Sequence, residues 1–126
     1  MAKILVAEDE RDIRDLIEFS LRNAGHEVIT TIDGESALEK VYTERPDLVL
    51  LDVRMPRLDG YQVCRRIKQD RSLRETPVAF LSAKGQDSEV EQGLQAGAEE
   101  YILKPFSLDE LLSKVEQLLS SQSSIS

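Results

Sequence analysis

The sequence predicts an α/β fold, a five-stranded parallel sheet with helices on both faces. Two observations carry this. Five short aliphatic runs alternate along the whole chain with stretches whose apolar residues recur at helical spacing. The runs are also continuously apolar rather than alternating, as strands buried on both faces must be. A length of 126 residues suits one compact domain.

The elements follow in order. Lys3–Ala7 reads as the first strand; Ile13, Leu16, Ile17, Leu21 and Ala24 then share one helical stripe, stopped by Gly25. Val28–Thr31 is the second strand, followed by a helix marked by Ala37, Leu38, Val41 and Tyr42 and closed by Pro46. Leu48–Leu51 is the third, and Val63, Cys64 and Ile67 mark its helix. After the fourth strand, Val78–Leu81, a helix marked by Val90 and Leu94 is weakened by Gly93. Tyr101–Leu103 is the fifth strand. The last helix is the clearest, with Leu108, Leu111, Leu112, Val115, Leu118 and Leu119 behind a Ser107–Glu110 capping box. Right-handed crossovers between parallel strands lead to a flavodoxin-like, doubly wound (βα)5 sandwich with strand order 2-1-3-4-5. The domain is expected to span residues 1–119, with the serine-rich residues 120–126 as a disordered tail or linker stub.

Composition narrows the function. No aliphatic run exceeds four residues, which leaves nothing to span a membrane or form a signal-peptide core. A single cysteine excludes an internal disulfide and fits a reducing cytoplasm. One Cys and one His leave no soft-ligand metal site, so a metal here should be a hard ion held by oxygen. The net charge of −8 opposes direct binding of nucleic acid by this domain.

In open α/β sheets ligands bind at the carboxyl ends of the strands. Glu8 and Asp9 follow the first strand, Asp52 to Pro56 the third, Ser82 the fourth, and Lys104 with Pro105 the fifth; Thr31, ending the second, adds nothing distinctive. Singly, each has an ordinary explanation: helix-dipole acids, a turn aspartate, a satisfied hydroxyl, a solvated lysine. Together they are harder to dismiss, because crowded carboxylates repel unless a cation joins them. The set suits phosphoryl transfer. Asp9 and Asp52 supply hard oxygens for Mg²⁺, or Mn²⁺ in its place, and a nearby backbone carbonyl can add another. One Asp52 oxygen can attack phosphorus, while the metal, Lys104 and Ser82 neutralise the three equatorial oxygens.

At this point the sequence resembles the receiver domains of two-component response regulators, the CheY-like superfamily, over about Met1 to Leu119. The resemblance rests on Val6-Ala7-Glu8-Asp9-Glu10, Leu50-Leu51-Asp52-Val53-Arg54-Met55-Pro56, Asp59-Gly60, Leu81-Ser82-Ala83 and Gly97-Ala98-Glu99-Glu100-Tyr101-Ile102-Leu103-Lys104-Pro105-Phe106, in order and at these spacings. It implies Asp52 as phosphoacceptor, Asp9 as a direct Mg²⁺ ligand, Glu8 acting through a metal-bound water, and Arg54 coordinating through its backbone carbonyl. It further implies that Ser82 and Lys104 bind the phosphoryl group, that the Lys104–Pro105 bond is cis, and that Ser82 and Tyr101 form a switch. The face that changes would be the fourth helix, fifth strand and fifth helix, with Gly85, Gly93 and Gly97 loosening the fourth helix. The implied partners are a sensor histidine kinase or phosphotransfer protein upstream and a protein target or attached effector domain downstream. The domain would catalyse only its own phosphorylation and dephosphorylation. Glu8 stands where many members have Asp. Gln92 stands where dimerising members carry a basic residue opposite an acid equivalent to Glu110, which leaves a monomer or a weak phosphorylation-dependent dimer, with Lys114 and Glu100 open to the other kind of pair.

Other features have simpler readings. Residues 54–75 hold seven basic groups (Arg54, Arg57, Arg65, Arg66, Lys68, Arg71, Arg74) against three acids, a solvated helix face. The resemblance further implies that Arg54 and Lys84, two residues past Asp52 and Ser82, can screen an acyl phosphate from water and slow its hydrolysis. His26 reads as solvated, and Cys64 as core. Three rival functions are disfavoured. A phosphohydrolase with an aspartate nucleophile needs a second Asp where Arg54 stands, and a flavin carrier would not place Glu8 and Asp9 against a phosphate. A degenerate receiver, a binding module that is never phosphorylated, would lack Asp52, Asp9 or Lys104, and all are present.

Overall fold

In the computed structural model, residues 2–82 and 87–123 are described, the side chains of 87–90 and 121–123 excepted. The chain runs β1 (Lys3–Ala7), α1 (Arg11–Asn23), β2 (Glu27–Thr31), α2 (Gly34–Glu44), β3 (Leu48–Asp52), α3 (Gly60–Gln69), β4 (Val78–Ser82), α4 (Asp87–Gln95), β5 (Glu100–Leu103) and α5 (Leu108–Ser123). All neighbouring strands are parallel, in the order β2-β1-β3-β4-β5, the topology expected from sequence. Readings that touch Ala83, Lys84, Gly85 or the Val90 side chain lie outside the described residues.

Side chains on the three central strands alternate between two cores. Leu5, Ala7, Val49, Leu51 and Phe80 pack with residues of α2 and α3, such as Val41, Val63 and Ile67. Ile4, Val6, Leu48, Leu50 and Leu81 pack with Ile17 and Leu21 of α1 and Leu111 and Val115 of α5. This two-sided burial is why the strands read as unbroken apolar runs. Local signals set the boundaries. Gly25 takes φ 95°, its N–H bonds Arg22 O at 3.0 Å and the His26 N–H reaches Leu21 O at 3.1 Å, closing α1 in a Schellman motif. Asp59 and Gln62 form a reciprocal capping box on α3, and Ser107 Oγ accepts the Glu110 N–H at 3.0 Å on α5.

Several expectations need correction. Leu16, Tyr42, Leu94 and Leu108 were assigned to buried stripes and instead stand exposed. On α1 the buried arc narrows to Ile17, Ser20 and Leu21, and Leu16, ~100° round the helix from Ile17, falls outside it. Among the described side-chain positions of α4, the residue facing the core is Gly93, where a Cβ would meet Phe80 Cδ2 at 3.0 Å and Tyr101 Cδ2 at 3.3 Å. Gly93 therefore lets α4 approach the sheet, and its neighbour Leu94 turns outward. Helix α5 continues past Leu119 to Ser123, taking in residues that their serine content assigned to a tail. Among the basic groups of residues 54–75, Lys68 is no part of a solvated face. Its ammonium bonds Thr76 O at 2.8 Å, Arg74 O at 3.1 Å and Glu99 Oε2 at 2.8 Å, stapling α3 to the α4–β5 turn. Cys64 is buried in the core, and burial pushes its thiol up to about 12.

His26 is the largest departure, since its side chain is only 7% exposed. Nδ1 accepts the Ala2 N–H at 3.2 Å, and Nε2 lies 3.1 Å from Glu116 Oε1. With Nδ1 occupied as an acceptor, the neutral ring carries its proton on Nε2 and donates it to Glu116. The ring thus ties the start of β1 to α5. His26→Ala should lower unfolding free energy by about 1–3 kcal/mol, because the Ala2 N–H loses its acceptor. Urea denaturation reads this, and an unchanged midpoint would leave the bridge without energetic weight.

Candidate functional site

Sheet register assembles the site. Ala7 pairs with Leu51, and β3 continues one residue further to Asp52, so Glu8 and Asp9 emerge beside it. One carboxylate oxygen from each of Glu8, Asp9 and Asp52 lies within 4.8 Å of the other two. On the other flank Ser82 pairs with Leu103, and the Lys104 N–H donates to Ser82 O at 2.7 Å. From there the Lys104 ammonium reaches Glu8 Oε1 at 2.7 Å and Asp52 Oδ2 at 3.4 Å. The Lys104–Pro105 peptide is cis.

Burial differs sharply among these groups. Glu8 is fully buried, Asp52 and Ser82 are buried, and Asp9 is exposed. Burial first, then the hydrogen bond and charge of Glu8, push the Asp52 carboxyl up to about 6; Lys104 and the Arg54 N–H, 3.3 Å from Asp52 Oδ1, pull the other way. For Lys104, burial works against the ammonium, but the bond to Glu8 and the charges of Asp52 and Glu8 outweigh it and hold its pKa above the ordinary lysine value. Among the described residues, three carboxylates face one ammonium here, and the surplus is negative. An all-oxygen donor set with that surplus, reachable from solvent at Asp9, suits a hard divalent cation of the Mg²⁺ kind.

The neighbouring positions complete the picture. The Arg54 side chain is exposed, beside an open cleft of about 570 Å³ lined by Asp9, Met55, Pro56, Asp59 and Gln92. Tyr101 is half-buried, its ring 6.2 Å from that of Phe80. Sequence reasoning missed Arg14, whose Nη1 bonds Glu8 O at 3.0 Å and clamps the turn that carries the acids. The available signal was a cation in the first turn of a helix, where the dipole disfavours it. Reasoning also passed over Thr31, whose carbonyl accepts the Glu8 N–H at 3.1 Å and whose buried Oγ1 has no partner among the described residues.

Comparison with known proteins places the chain in a family. The response regulator receiver domain family matches residues 4–116. The alkaline phosphatase synthesis transcriptional regulatory protein PhoP of Bacillus subtilis (strain 168) is 43% identical over 117 residues, covering 93% of this chain and 48% of PhoP. The chain thus spans about half the length of that relative. Among solved structures, chemotaxis protein CheY4 of Vibrio cholerae superposes with a TM-score of 0.89 at 30% identity, over 94% of this chain and 98% of its own. NtrX from Brucella abortus, solved in complex with ADP, gives a TM-score of 0.88 at 37% identity, over 97% of this chain but only 28% of its own. A receiver-like acid cluster at the carboxyl edge of a 2-1-3-4-5 sheet and a family match over nearly the whole length lead to one conclusion: the chain belongs to the receiver domains of response regulators, whose function is phosphotransfer.

Proposed function

We propose that Asp52 is the phosphoacceptor of this receiver, with a phosphohistidine of a sensor histidine kinase or phosphotransfer protein as donor. The observation that carries the reading is the convergence of Glu8, Asp9, Asp52 and Lys104 at one sheet edge. Asp9 and Asp52 carboxylates and the Arg54 carbonyl would hold Mg²⁺ or Mn²⁺ directly, and Glu8 would act through a metal-bound water. When bound, the cation neutralises the carboxylates and one oxygen of the transferring group. An Asp52 oxygen attacks phosphorus, the bond to the donor nitrogen breaks with its electron pair, and an acyl phosphate forms. Lys104 and the Ser82 hydroxyl donate hydrogen bonds to the remaining phosphoryl oxygens. Glu8, fully buried and 2.7 Å from the Lys104 ammonium, keeps that ammonium in place before the phosphoryl group arrives. The domain thereby catalyses its own phosphorylation and, with water as acceptor, its own dephosphorylation.

Engagement of Ser82 by the phosphoryl group would shift Tyr101, which Gly93 and Phe80 bracket, and so alter the face formed by α4, β5 and α5. That face would signal in the cytoplasm to a protein target or an attached effector domain. Lys114 bonds Glu100 at 3.2 Å within the chain, and Gln92 offers no charge, so dimerisation through this face should be weak or absent. Sedimentation should find monomer, or a weak dimer after phosphorylation; a tight phosphorylated dimer would refute this. Among the described residues no helix is long and apolar enough to cross a membrane.

The test is intact mass after incubation with acetyl phosphate, with and without Mg²⁺. The reading expects a metal-dependent gain of one phosphoryl group, roughly 80 Da. No gain under conditions that label another receiver would leave a phosphorylation-independent binding module.

A further inference from the structure

Among the described residues, two main-chain anchors hold the segment between β3 and α3. At one, the Val53 N–H donates to Leu81 O at 3.2 Å, and Val53 O accepts the Gly60 N–H at 2.9 Å. At the other, Pro56 O accepts the Gly34 N–H at 3.3 Å. Arg54 and Met55 lie between them, and the Arg54 N–H donates to Asp52 Oδ1 at 3.3 Å, so these anchors together with that bond set where the Arg54 carbonyl stands. Gly34 is the first residue of α2, directly behind its N-cap Asp33, whose Oδ1 accepts the Ser36 N–H at 2.7 Å. A Cβ on Gly34 would overlap the Leu58 carbonyl oxygen and stand 2.6 Å from Leu58 C and 2.7 Å from Leu58 Cβ. The obstacle is mostly main chain, which cannot swing aside as a side-chain tip can. Any side chain here must push the Pro56–Leu58 stretch away from α2. Arg57, held at φ 73° with its guanidinium 3.9 Å from Asp33 and 3.8 Å from Glu35, belongs to the same contact.

We infer that Gly34 is a positioning residue for metal binding: its bare Cα lets the start of α2 seat against the β3–α3 loop, and that seat sets the Arg54 carbonyl. The inference rests on the proposed metal site, in which that carbonyl is a ligand. A residue that orients a ligand without touching the metal acts on affinity, because a misplaced ligand must be moved back each time the ion binds.

The test is calorimetric titration of MgCl₂ into wild type, Gly34→Ala and Gly25→Ala. Gly25 is a matched control. Alanine there is strained by φ +95° but meets nothing within 4 Å, and the α1–β2 turn lies at the opposite end of the sheet. Both variants lose stability. Gly34→Ala is expected to weaken Mg²⁺ binding by about tenfold or more, with acetyl phosphate labelling restored at saturating Mg²⁺, whereas Gly25→Ala binds as wild type does. Equal Mg²⁺ affinity for all three would overturn the inference and leave the metal site standing. No binding by wild type would overturn the reading of the site and this inference with it. Should Gly34→Ala not fold, Asp33→Ala decides. It frees the turn that presents the Gly34 N–H without adding bulk, and it must also bind Mg²⁺ more weakly than Gly25→Ala.

Discussion

Asp52→Asn takes up no phosphoryl group from acetyl phosphate at any Mg²⁺ concentration, and its metal-free form is more stable than wild type at neutral pH. The first result follows from removing the carboxylate that the proposed reaction uses as nucleophile. The second follows from electrostatics. A carboxyl whose folded-state pKa is about 6 against an ordinary 3.8 binds its proton more tightly in the folded protein. The folded state is therefore favoured at low pH, and this contribution is lost as the pH rises from 3.8 through about 6. Above that window the buried charge beside Glu8 is a full penalty, which asparagine does not carry. The expected gain for Asp52→Asn is about 1–3 kcal/mol near neutral pH, shrinking toward zero below the window. Urea unfolding at the two pH extremes measures it. A gain independent of pH would assign the effect to packing instead. The same titration makes wild-type Mg²⁺ affinity fall below about pH 6, where the Asp52 oxygens hold a proton.

Lys104→Met should be the most damaging single change to the metal-free protein. The Lys104 ammonium is 2.7 Å from Glu8, which has no solvent access, and 3.4 Å from Asp52. Removing one partner of a buried pair leaves the other charged and uncompensated, a loss of about 3 kcal/mol or more. Mg²⁺ supplies positive charge to the same carboxylates, so saturating Mg²⁺ should recover much of that loss, and the metal should stabilise the variant more than wild type. Labelling should become slower even at saturating Mg²⁺, because the proposed donor to the phosphoryl oxygens is gone. Thermal unfolding with and without Mg²⁺ separates the two effects. Equal stabilisation of variant and wild type would mean that ammonium and metal do not share the Glu8 and Asp52 charges.

What sequence could and could not show divides along physical lines. The three central strands were readable because both their faces are buried, so no polar residue interrupts Leu48–Leu51 or Val78–Leu81, whereas the edge strands β2 and β5 are only partly buried. The acid cluster was readable because a parallel sheet brings strand ends together, whatever their separation in sequence. Helix faces were less so. Leu94 is as apolar as a core residue, yet Gly93 takes the buried position because α4 lies close enough to Phe80 and Tyr101 to exclude a side chain. Contacts made by polar groups across long separations left no local trace. His26 bonds Glu116 across 90 positions, and Lys68 bonds Glu99 across 31. Gly34 likewise carries no local sign of its role, because the Leu58 carbonyl that excludes a Cβ there belongs to a different loop.

The most direct measurement on the central claim locates the phosphoryl group. The phosphorylated protein would be reduced with borohydride, which converts an aspartyl phosphate to homoserine, and then digested and mapped by peptide mass. The account predicts homoserine at position 52 alone, and only in samples phosphorylated in the presence of Mg²⁺. Homoserine at Asp9 or Asp59, or modification at Asp52 without metal, would contradict it.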